Sequence, residues 1–345
     1  MKMRIPSLND VAEEAGVSKS TVSRILNNRL GNGFSVKEEV RQRVIEVARK
    51  LNYRPNLIAK SLTMRSTKMI HIIGGNHALS ELGNIYQTIV NNITRVIDAQ
   101  AEGYDVTVDM SNHKPEETEM PAWKIDGAII LAKCTDITME EILQMGIPHV
   151  VVNGPSDPAG SAVVPDDVQG TRLAMEHLIG LGHRKIAYAT APVKYLVAGH
   201  SSIYDRLTTY ESEMKKHGLT PVLGSHDVLD ATEDYLREVV LEGGATAILA
   251  YGHMGALNIL QAAHTLEIAI PEQLSVMCFC DQYANRIMSP GLTFIDLCSM
   301  KMGTLAAELL LKQIQSPRKL QPQRIVLEES LAIRNTTASP HRKRE

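Results

Sequence analysis

The sequence predicts a small all-α head joined to an α/β body of two lobes. Within residues 7–28 two short helical periodicities flank a glycine, and a third helical stretch follows. From residue 69 onward, β-rich runs alternate with helical segments, the pattern of parallel sheets covered by helices on both faces. The 345 residues, 44% of them hydrophobic, suffice for two or more packed cores.

Charge is divided unevenly between the head and the body. Residues 1–68 hold 14 Lys and Arg against 6 Asp and Glu, a net charge of +8. The rest of the chain holds 22 against 33, a net charge of −11. A basic module on an acidic body suits an arm that binds a polyanion, although a solvated basic face would give the same totals.

The first helix is predicted over residues 8–15, where apolar residues recur at i, i+3, i+4 and i+7. Ser7, with Asp10 three residues later, is typical of a capping box. A tight turn at Gly16 follows, and Ser18 can cap a second helix.

The second helix has a buried side of Val22, Ile25 and Leu26. Its other faces carry hydrogen-bond donors rather than carboxylates, namely Lys19, Ser20, Ser23, Arg24 and Asn27. This arrangement indicates a helix-turn-helix that binds DNA. An ordinary helical hairpin with a polar outer face is the alternative.

A third helix is predicted to end near Asn52, so the head covers residues 1–53, and residues 54–68 form a hinge or linker. Pro55 disfavours helical geometry at Arg54, and the helical stretch from Asn56 to about Leu62 is too short to be stable alone. It is either a plain linker or a helix that folds against a partner copy or DNA.

Residues 7–63 resemble the lactose-repressor (LacI) family of bacterial transcription regulators. The resemblance is carried by NDVAEEAGVSKSTVSRILN, by VRQRVIEVARKLNYRPN and by IAKSLTMRST. It implies that Lys19, Ser20 and Arg24 read bases in the major groove of double-stranded DNA. It also implies a set of DNA-backbone contacts, made by Ser7, Ser18, Thr21, Ser23 and Asn27.

The same resemblance implies a hinge helix that enters the minor groove. Ala59 and Leu62 occupy the matching positions, with Leu62 wedged at the centre of a palindromic operator.

The body is predicted as two successive series of strands and helices. In the first, the strands are Met69–Ile73, Asp105–Asp109, Ala128–Leu131 and Val150–Val152, with helices at Ile85–Ala101 and Met139–Met145. In the second, the strands are Ile186–Ala189, Ala247–Ala250, Ser275–Phe279 and Thr293–Leu297. The helices of the second series are Thr171–Leu181, Tyr204–His217, Thr232–Leu241, Met254–Leu266 and Lys301–Ile314. We therefore expect two Rossmann-like lobes with a ligand cleft at the carboxyl ends of the strands.

The family resemblance extends over the body through DDVQGTRLAMEHLIGLGHRKIAY, AILAYGHMGALNILQAA, IPEQLSVMCFCD and SPGLTFIDL. It implies a periplasmic-binding-protein-like core over residues 69–337 that forms a homodimer and closes around an effector. We expect the lobe boundary near residue 165, with the chain recrossing near 292 and 322. Residues 338–345 are expected to be a disordered basic tail.

The effector site is only partly specified by the resemblance. Arg206, in SIYDRLTTY, matches the family arginine that holds the effector, and it could bind hydroxyls or a carboxylate. Gly252 stands where the family often has Asn or Asp, and Cys280 stands at the effector-binding aspartate, with Asp281 one residue later. Asn153, at the end of a predicted strand, is a further candidate. The family favours a sugar or a related small metabolite.

The sequence lacks the motifs that would indicate metal binding, catalysis or cofactor binding. Cys278 and Cys280 have no second pair at zinc spacing, and Asp166-Asp167 is expected to open a helix rather than catalyse. His183 is expected in a structural turn. No G-x-G-x-x-G or phosphate-binding loop occurs, so we expect no cofactor and no enzyme activity.

We expect a cytoplasmic protein, because the chain has no long apolar run, no secretory leader and only four cysteines. The predicted function is a dimeric, sequence-specific repressor that responds to a small molecule. Two alternatives remain, a DNA-binding regulator with an effector-independent core and a small-molecule binding protein with a vestigial head.

Overall fold

A computed structural model describes residues 6–26, 36–53, 66–76, 84–155, 160–190, 200–280, 290–316, 318 and 320–340. The chain forms two compact units, Met1–Thr67 and Lys68–Glu345. Among the described residues, no helix has the length and apolar character needed to cross a bilayer.

The described part of the head contains three helices, α1 (Leu8–Ala15), α2 (Lys19–Leu26) and α3 (Glu38–Lys50). The predicted capping box is confirmed, because Ser7 Oγ accepts a hydrogen bond from the Asp10 N–H and the Asp10 carboxylate accepts one from the Ser7 N–H. Gly16 adopts φ +64°, a left-handed conformation that ends α1 and suits glycine. The small core consists of Val11, Ala12, Ala15, Val22, Ile25, Val44 and Ala48.

The first lobe of the larger unit is built on a parallel sheet in the order β10-β5-β4-β3-β1-β2. Its strands are β1 (Met69–Ile73), β2 (Asp105–Val108), β3 (Gly127–Leu131), β4 (His149–Val152), β5 (Ser161–Pro165) and β10 (Arg324–Leu327). Its helices are α4 (Ile85–Gln100), α5 (Asp136–Met145) and α10 (Ser299–Gln315). The strands β1, β3, β4 and β5 are buried along their whole length, which explains their continuous apolar runs.

The second lobe has a sheet in the order β11-β9-β8-β7-β6, parallel except for the antiparallel pairing of β11 with β9. Its strands are β6 (Ile186–Ala189), β7 (Ala247–Ala250), β8 (Ser275–Cys280), β9 (Thr293–Asp296) and β11 (Ser330–Ala332). Its helices are α6 (Asp167–Gly180), α7 (Ser201–Lys216), α8 (Thr232–Leu236, continued by a π-helical turn over Arg237–Glu242) and α9 (His253–Thr265).

Within the described residues, the chain passes between the lobes three times. The first passage follows β5 at Pro165. The expected recrossings near 292 and 322 are wrong by several residues, since the chain leaves the second sheet after β9 and returns to it after β10. The short strands β10 and β11 were not predicted, because each one is defined by its partner strand far away in the sequence.

The predicted start of the disordered tail, at residue 338, is also too early. Ala338 is tied to the second lobe, because its N–H donates to Ser275 Oγ at 3.0 Å and its carbonyl lies 2.9 Å from His183 Nε2. The folded core therefore extends at least through Ala338, and residues 341–345 lie outside the described residues.

Candidate functional site

The outer face of α2 presents the polar side chains predicted to meet DNA. Lys19, Ser20 and Arg24 are exposed, as are Ser7 and Ser18 at the starts of α1 and α2. Thr21 and Ser23 are half-buried, while Asn27, Ala59 and Leu62 lie outside the described residues. The exposed groups on α2 therefore include two cations and no carboxylate.

Buried contacts fix the position of α2 within the head. Val22 and Ile25 are buried in the three-helix core. Ser18 caps the helix, because the Thr21 N–H donates to Ser18 Oγ at 3.1 Å. Arg43 of α3 donates from Nε to the Ala15 carbonyl at 3.1 Å and so holds the end of α1 beside the turn. The α2 face is thus a surface of a packed unit rather than of an isolated helix.

A cavity of about 550 Å³ lies between the two lobes of the larger unit. The first lobe contributes Asn84, Tyr86 and Asn153, and the second contributes residues at the ends of β6, β7 and β8 and at the start of α7. Its size is that of a small-molecule site, and its position at the carboxyl ends of parallel strands is the expected one.

Arg206 is buried in the wall of this cavity, where it is already engaged by the protein. Its Nε and Nη2 both lie 2.6 Å from Asp167 Oδ1, and Nη1 donates to the Tyr251 carbonyl at 2.8 Å. The guanidinium carbon lies 4.1 Å from the centre of the Phe279 ring. Burial opposes the charge, but Asp167 outweighs it and raises the pKa of Arg206.

Glu329 is a buried acid beside this pair, at the third passage between the lobes. Neither of its carboxylate oxygens has a hydrogen-bond partner among the described residues. Burial, followed by the charge of Asp167, raises the pKa of Glu329 well above its ordinary value, against the opposing effect of Arg206. Gly170 of α6 packs so closely against the carboxylate that a Cβ there would collide with it.

Hydrogen bonds near Glu329 join the three chain segments that connect the lobes. The Gln169 side chain bonds both the N–H and the carbonyl of Glu329, at 3.0 and 3.2 Å. Cys298 Sγ donates to the Glu328 carbonyl at 3.3 Å, and the Asp166 N–H donates to the Leu327 carbonyl at 2.8 Å. A movement of one lobe relative to the other therefore changes these hydrogen bonds.

The other predicted effector residues lie at the cavity, with one exception. Asn153, Gly252 and Cys280 line it, whereas Asp281 lies outside the described residues. Gly252 precedes α9, and a Cβ at this position would meet nothing within 4 Å. Cys280 is buried in the core of the second lobe. Space for a side chain thus exists at position 252.

Sequence reasoning missed four residues of this site. Tyr86, Asp167, His200 and Tyr251 surround Asn153 and Arg206. Asp167 was interpreted only as part of a helix start, and the structure assigns that capping role to Asp166, whose Oδ1 accepts from the Gln169 N–H at 3.0 Å. Only their positions in the sequence could have identified these residues, because each one follows the end of a strand or lies at the start of a helix.

The structure gives the positions of the cysteines and of His183, which were considered above for other chemistry. Cys134, Cys278, Cys280 and Cys298 are all free thiols. Within the part of the chain that the structure describes, no three His, Cys, Asp or Glu side chains are grouped to hold a metal ion. His183 is buried and hydrogen-bonds Thr246, Ser275 and the Ala338 carbonyl, so it joins the C-terminal segment to the second lobe.

A helix-turn-helix head followed by a two-lobed core with a ligand-sized cleft defines a DNA-binding transcription regulator that responds to a small molecule. Residues 7–56 match the family described as bacterial regulatory proteins, lacI family. Residues 175–337 match the periplasmic binding protein-like domain. The chain thus combines a helix-turn-helix domain of the lacI family with a periplasmic binding protein-like domain.

Two curated relatives and one solved structure illustrate the match. The HTH-type transcriptional repressor PurR of Mannheimia succiniciproducens is 26% identical over 340 residues, 96% of this chain and 98% of the relative. The probable HTH-type transcriptional repressor ExuR of Bacillus subtilis is 27% identical over 320 residues, 90% and 92% of the two chains. The lac repressor dimer bound to operator and the anti-inducer ONPF superposes with a TM-score of 0.74 at 23% identity, covering 97% of this chain and 100% of that chain, which shows the shared fold.

Proposed function

We propose that this protein is a transcription repressor that binds a palindromic operator as a homodimer and responds to an uncharged small molecule in its cleft. The observation that carries the proposal is the exposed donor face of α2 on a packed head. A repressor of this kind acts on the chromosome, which places it in the bacterial cytoplasm.

The base-reading part of the proposal rests on the chemistry of α2. The Arg24 guanidinium has the fork geometry that reads a guanine edge, and Lys19 and Ser20 offer further donors on the same helix. Ser7, Ser18, Thr21 and Ser23 supply hydroxyls of the kind that bind phosphates and set the register on DNA. Such contacts give sequence preference only if the helix is held rigidly, which the buried Val22 and Ile25 support.

The test compares Arg24→Ala with Arg49→Ala in the full chain. Each variant removes one exposed cation from the head, but Arg49 lies on α3, outside the proposed reading face. On the genomic DNA around its own gene, Arg24→Ala should lose about 10- to 100-fold in specific affinity by fluorescence anisotropy. Arg49→Ala should lose about as much on random DNA as on this fragment. Equal losses for the two variants on the specific fragment would overturn the base-reading assignment.

The hinge part of the proposal concerns Ala59 and Leu62. A leucine wedge unstacks a base step and kinks the duplex, so Leu62→Ala should reduce the operator bend measured by circular-permutation gel shifts. Ala59→Ser is the control at the neighbouring minor-groove position and should change the bend less. An unchanged bend angle in Leu62→Ala would contradict the wedge.

The effector is proposed to be uncharged because, among the described lining residues, the buried cation is already paired and the exposed lysine is outnumbered by two carboxylates. The described charged residues of its lining are Glu119, Lys133, Asp136 and Arg206, and Asp167 already neutralises Arg206. Arg206 retains N–H groups for hydroxyls, and the amides of Asn84 and Asn153 lie in the same lining. A sugar or related hydroxyl-bearing metabolite fits this mixture of donors and acceptors better than a carboxylate.

Thermal-shift measurements with paired ligands test the effector class. Neutral sugars such as ribose and glucose should raise the melting temperature, whereas glucuronate and galacturonate should not, because binding stabilises in proportion to occupancy. Gly252→Asn should strengthen the response to the neutral ligand, since it adds an amide where there is room. Stabilisation by the uronates alone would overturn the proposed class.

A further inference from the structure

The Arg206 guanidinium lines the cleft but directs most of its hydrogen bonds into the protein. Its Nε and Nη2 both lie 2.6 Å from Asp167 Oδ1, and its Nη1 donates to the Tyr251 carbonyl at 2.8 Å. A guanidinium carries five N–H groups, so one on Nη1 and one on Nη2 are left over by these contacts. Arg206 therefore retains two hydrogen-bond donors for a ligand.

The charge of Arg206, unlike its hydrogen-bonding capacity, is already compensated. Asp167 and Arg206 are both buried, with 6% and 5% of their surfaces exposed. Opposite charges in contact interact more strongly in such a desolvated site than in water. A carboxylate ligand would have to share the guanidinium with Asp167 and lie close to its negative charge, whereas a hydroxyl group needs no free charge. The pair thus favours hydroxyl groups over anions.

Two aromatic rings fix the position of the Arg206 guanidinium. Its central carbon lies 4.1 Å from the centre of the Phe279 ring and 4.9 Å from the centre of the Tyr251 ring. The contact of a cation with aromatic faces is favourable, most of all where water is excluded. Arg206 is therefore held beside Asp167 and is not available to swing toward an anionic ligand.

The two adjacent carboxylates at the start of α6 have different roles. Asp166 caps the helix, because its Oδ1 accepts a hydrogen bond from the Gln169 N–H at 3.0 Å. The Asp167 side chain is not needed for the cap and instead bonds Arg206. The Asp167 carbonyl accepts from Thr171 Oγ1 at 2.7 Å, which holds the first turn of α6 in place. Asp166 therefore provides a control of the same charge one residue away.

We propose that Asp167 is a specificity-determining residue, which neutralises Arg206 and thereby makes the cleft reject anionic ligands and accept uncharged ones that carry hydroxyls. The inference rests on the proposed function, because it requires that Arg206 faces the effector. It adds that the selectivity for charge resides in one side chain of the wall. Removal of that single charge should therefore convert a site for a neutral ligand into a site for a carboxylate.

Glu329 is a second acid that can compensate Arg206 when Asp167 is changed. Its side chain is buried, and its pKa is raised by burial and by the charge of Asp167, against the opposing effect of Arg206. Without the charge of Asp167, Arg206 favours an ionised Glu329, which then neutralises the guanidinium in part. A complete test therefore combines a neutral residue at position 167 with Glu329→Gln.

Isothermal titration calorimetry of the full chain with matched ligands tests the role of Asp167. Glucose, galactose and mannose are each compared with their uronates, in which a carboxylate replaces the terminal CH₂OH group. Asp167→Asn keeps an acceptor oxygen for Arg206 but removes the charge. Its affinity for at least one uronate should rise about 10- to 100-fold over wild type, the range of a hydrogen bond to a charged group. Asp167→Asn/Glu329→Gln should gain at least as much, and the affinity for neutral sugars should change less.

Three further variants make the test specific. Asp166→Asn removes the same charge from the neighbouring residue and keeps the helix cap, so its uronate affinity should equal that of wild type. Asp167→Asn/Arg206→Gln removes the cation as well and should lose the gain. Asp167→Ser offers Arg206 a hydroxyl acceptor and should show the gain too, so it decides the question if Asp167→Asn folds poorly.

The outcomes separate the role of Asp167 from the proposed function. A neutral variant at position 167 that gains affinity for none of the uronates would overturn the role of Asp167, as would an equal gain in Asp166→Asn or a gain that survives Arg206→Gln. If wild type binds a neutral sugar in that case, the proposed effector class stands. A gain in uronate affinity, in a protein whose wild type binds none of the three sugars, would support the role of Asp167 and overturn the sugar as effector.

Discussion

Replacing Glu329 by Gln tests the buried acid at the third passage between the lobes. Glu329 is 3% exposed, and its two carboxylate oxygens have no hydrogen-bond partner among the described residues. At alkaline pH the folded protein must either hold an unpaired carboxylate near Asp167 or take up a proton from dilute solution. Both cost free energy of folding, and glutamine has nearly the same shape without the charge.

The expected stabilisation is about 1–3 kcal/mol at pH 8, the order by which burying a charged group costs more than burying a neutral amide in the same place. For a unit of this size each kcal/mol shifts the melting temperature by about 2–4 °C, so Glu329→Gln should raise it by about 2–12 °C. The pKa of Glu329 is raised in the folded state, so its favourable contribution is fully present below the ordinary pKa of glutamate. That contribution is lost as the pH rises through the raised value, and the gain from glutamine should disappear toward pH 5.

Differential scanning calorimetry between pH 5 and pH 8 measures this difference. Glu328→Gln is the matched control, because Glu328 is the exposed neighbour and the same substitution there should leave the pH profile unchanged. If Glu329→Gln lowered the melting temperature equally at both pH values, Glu329 would be an ionised partner of Arg206 and the reasoning would fail.

Two glycine substitutions test close packing and backbone geometry. Gly170→Ala should destabilise the core by about 1–3 kcal/mol by denaturant unfolding, because its Cβ would collide with the Glu329 carboxylate. Gly180→Ala in the same helix meets nothing within 4 Å and should be neutral or stabilising, so equal effects of the two would contradict the packing argument. Gly16→Ala should cost about 1–2 kcal/mol at φ +64° and speed hydrogen exchange of the α1 and α2 amides, whereas Gly16→Asn should do so less. Equal exchange rates in these two variants would argue against backbone strain as the cause.

Most elements of the fold could be predicted because their signals are local. The α1 cap, the Gly16 turn and the buried strands β1, β3, β6 and β7 follow from neighbouring residues and from continuous apolar runs. The strands β10 and β11 were missed because such short segments become strands only by pairing with partners far away in the sequence. Strand β5 was missed although it pairs with the nearby β4 as well as with β10. The last part of the predicted helix 232–241 became a π-helical turn, which periodicity does not distinguish from an α-helix.

The candidate site was predictable in its position but only partly in its chemistry. Arg206 could be singled out from its surrounding motif, yet its partner Asp167 lies 39 residues earlier and was assigned only to a helix start. Asn153 was a candidate for ligand binding, and the structure shows that its carbonyl accepts from His200 and its amide donates to Tyr86. Nothing in the neighbourhood of Glu329 in the sequence indicates that it is buried.

Local sequence patterns were enough to predict a basic helix-turn-helix head, the donor-bearing face of α2 and a two-lobed α/β core with its cleft. These features depend on helical and strand periodicity, caps and charge totals, which are properties of adjacent residues. The pairing of Asp167 with Arg206, the burial of Glu329 beside them and the hydrogen bond from His200 to the first lobe depend on tertiary contacts. The described chain crosses between the lobes three times, and groups separated by up to about 160 residues therefore share one desolvated junction whose interactions no local pattern encodes.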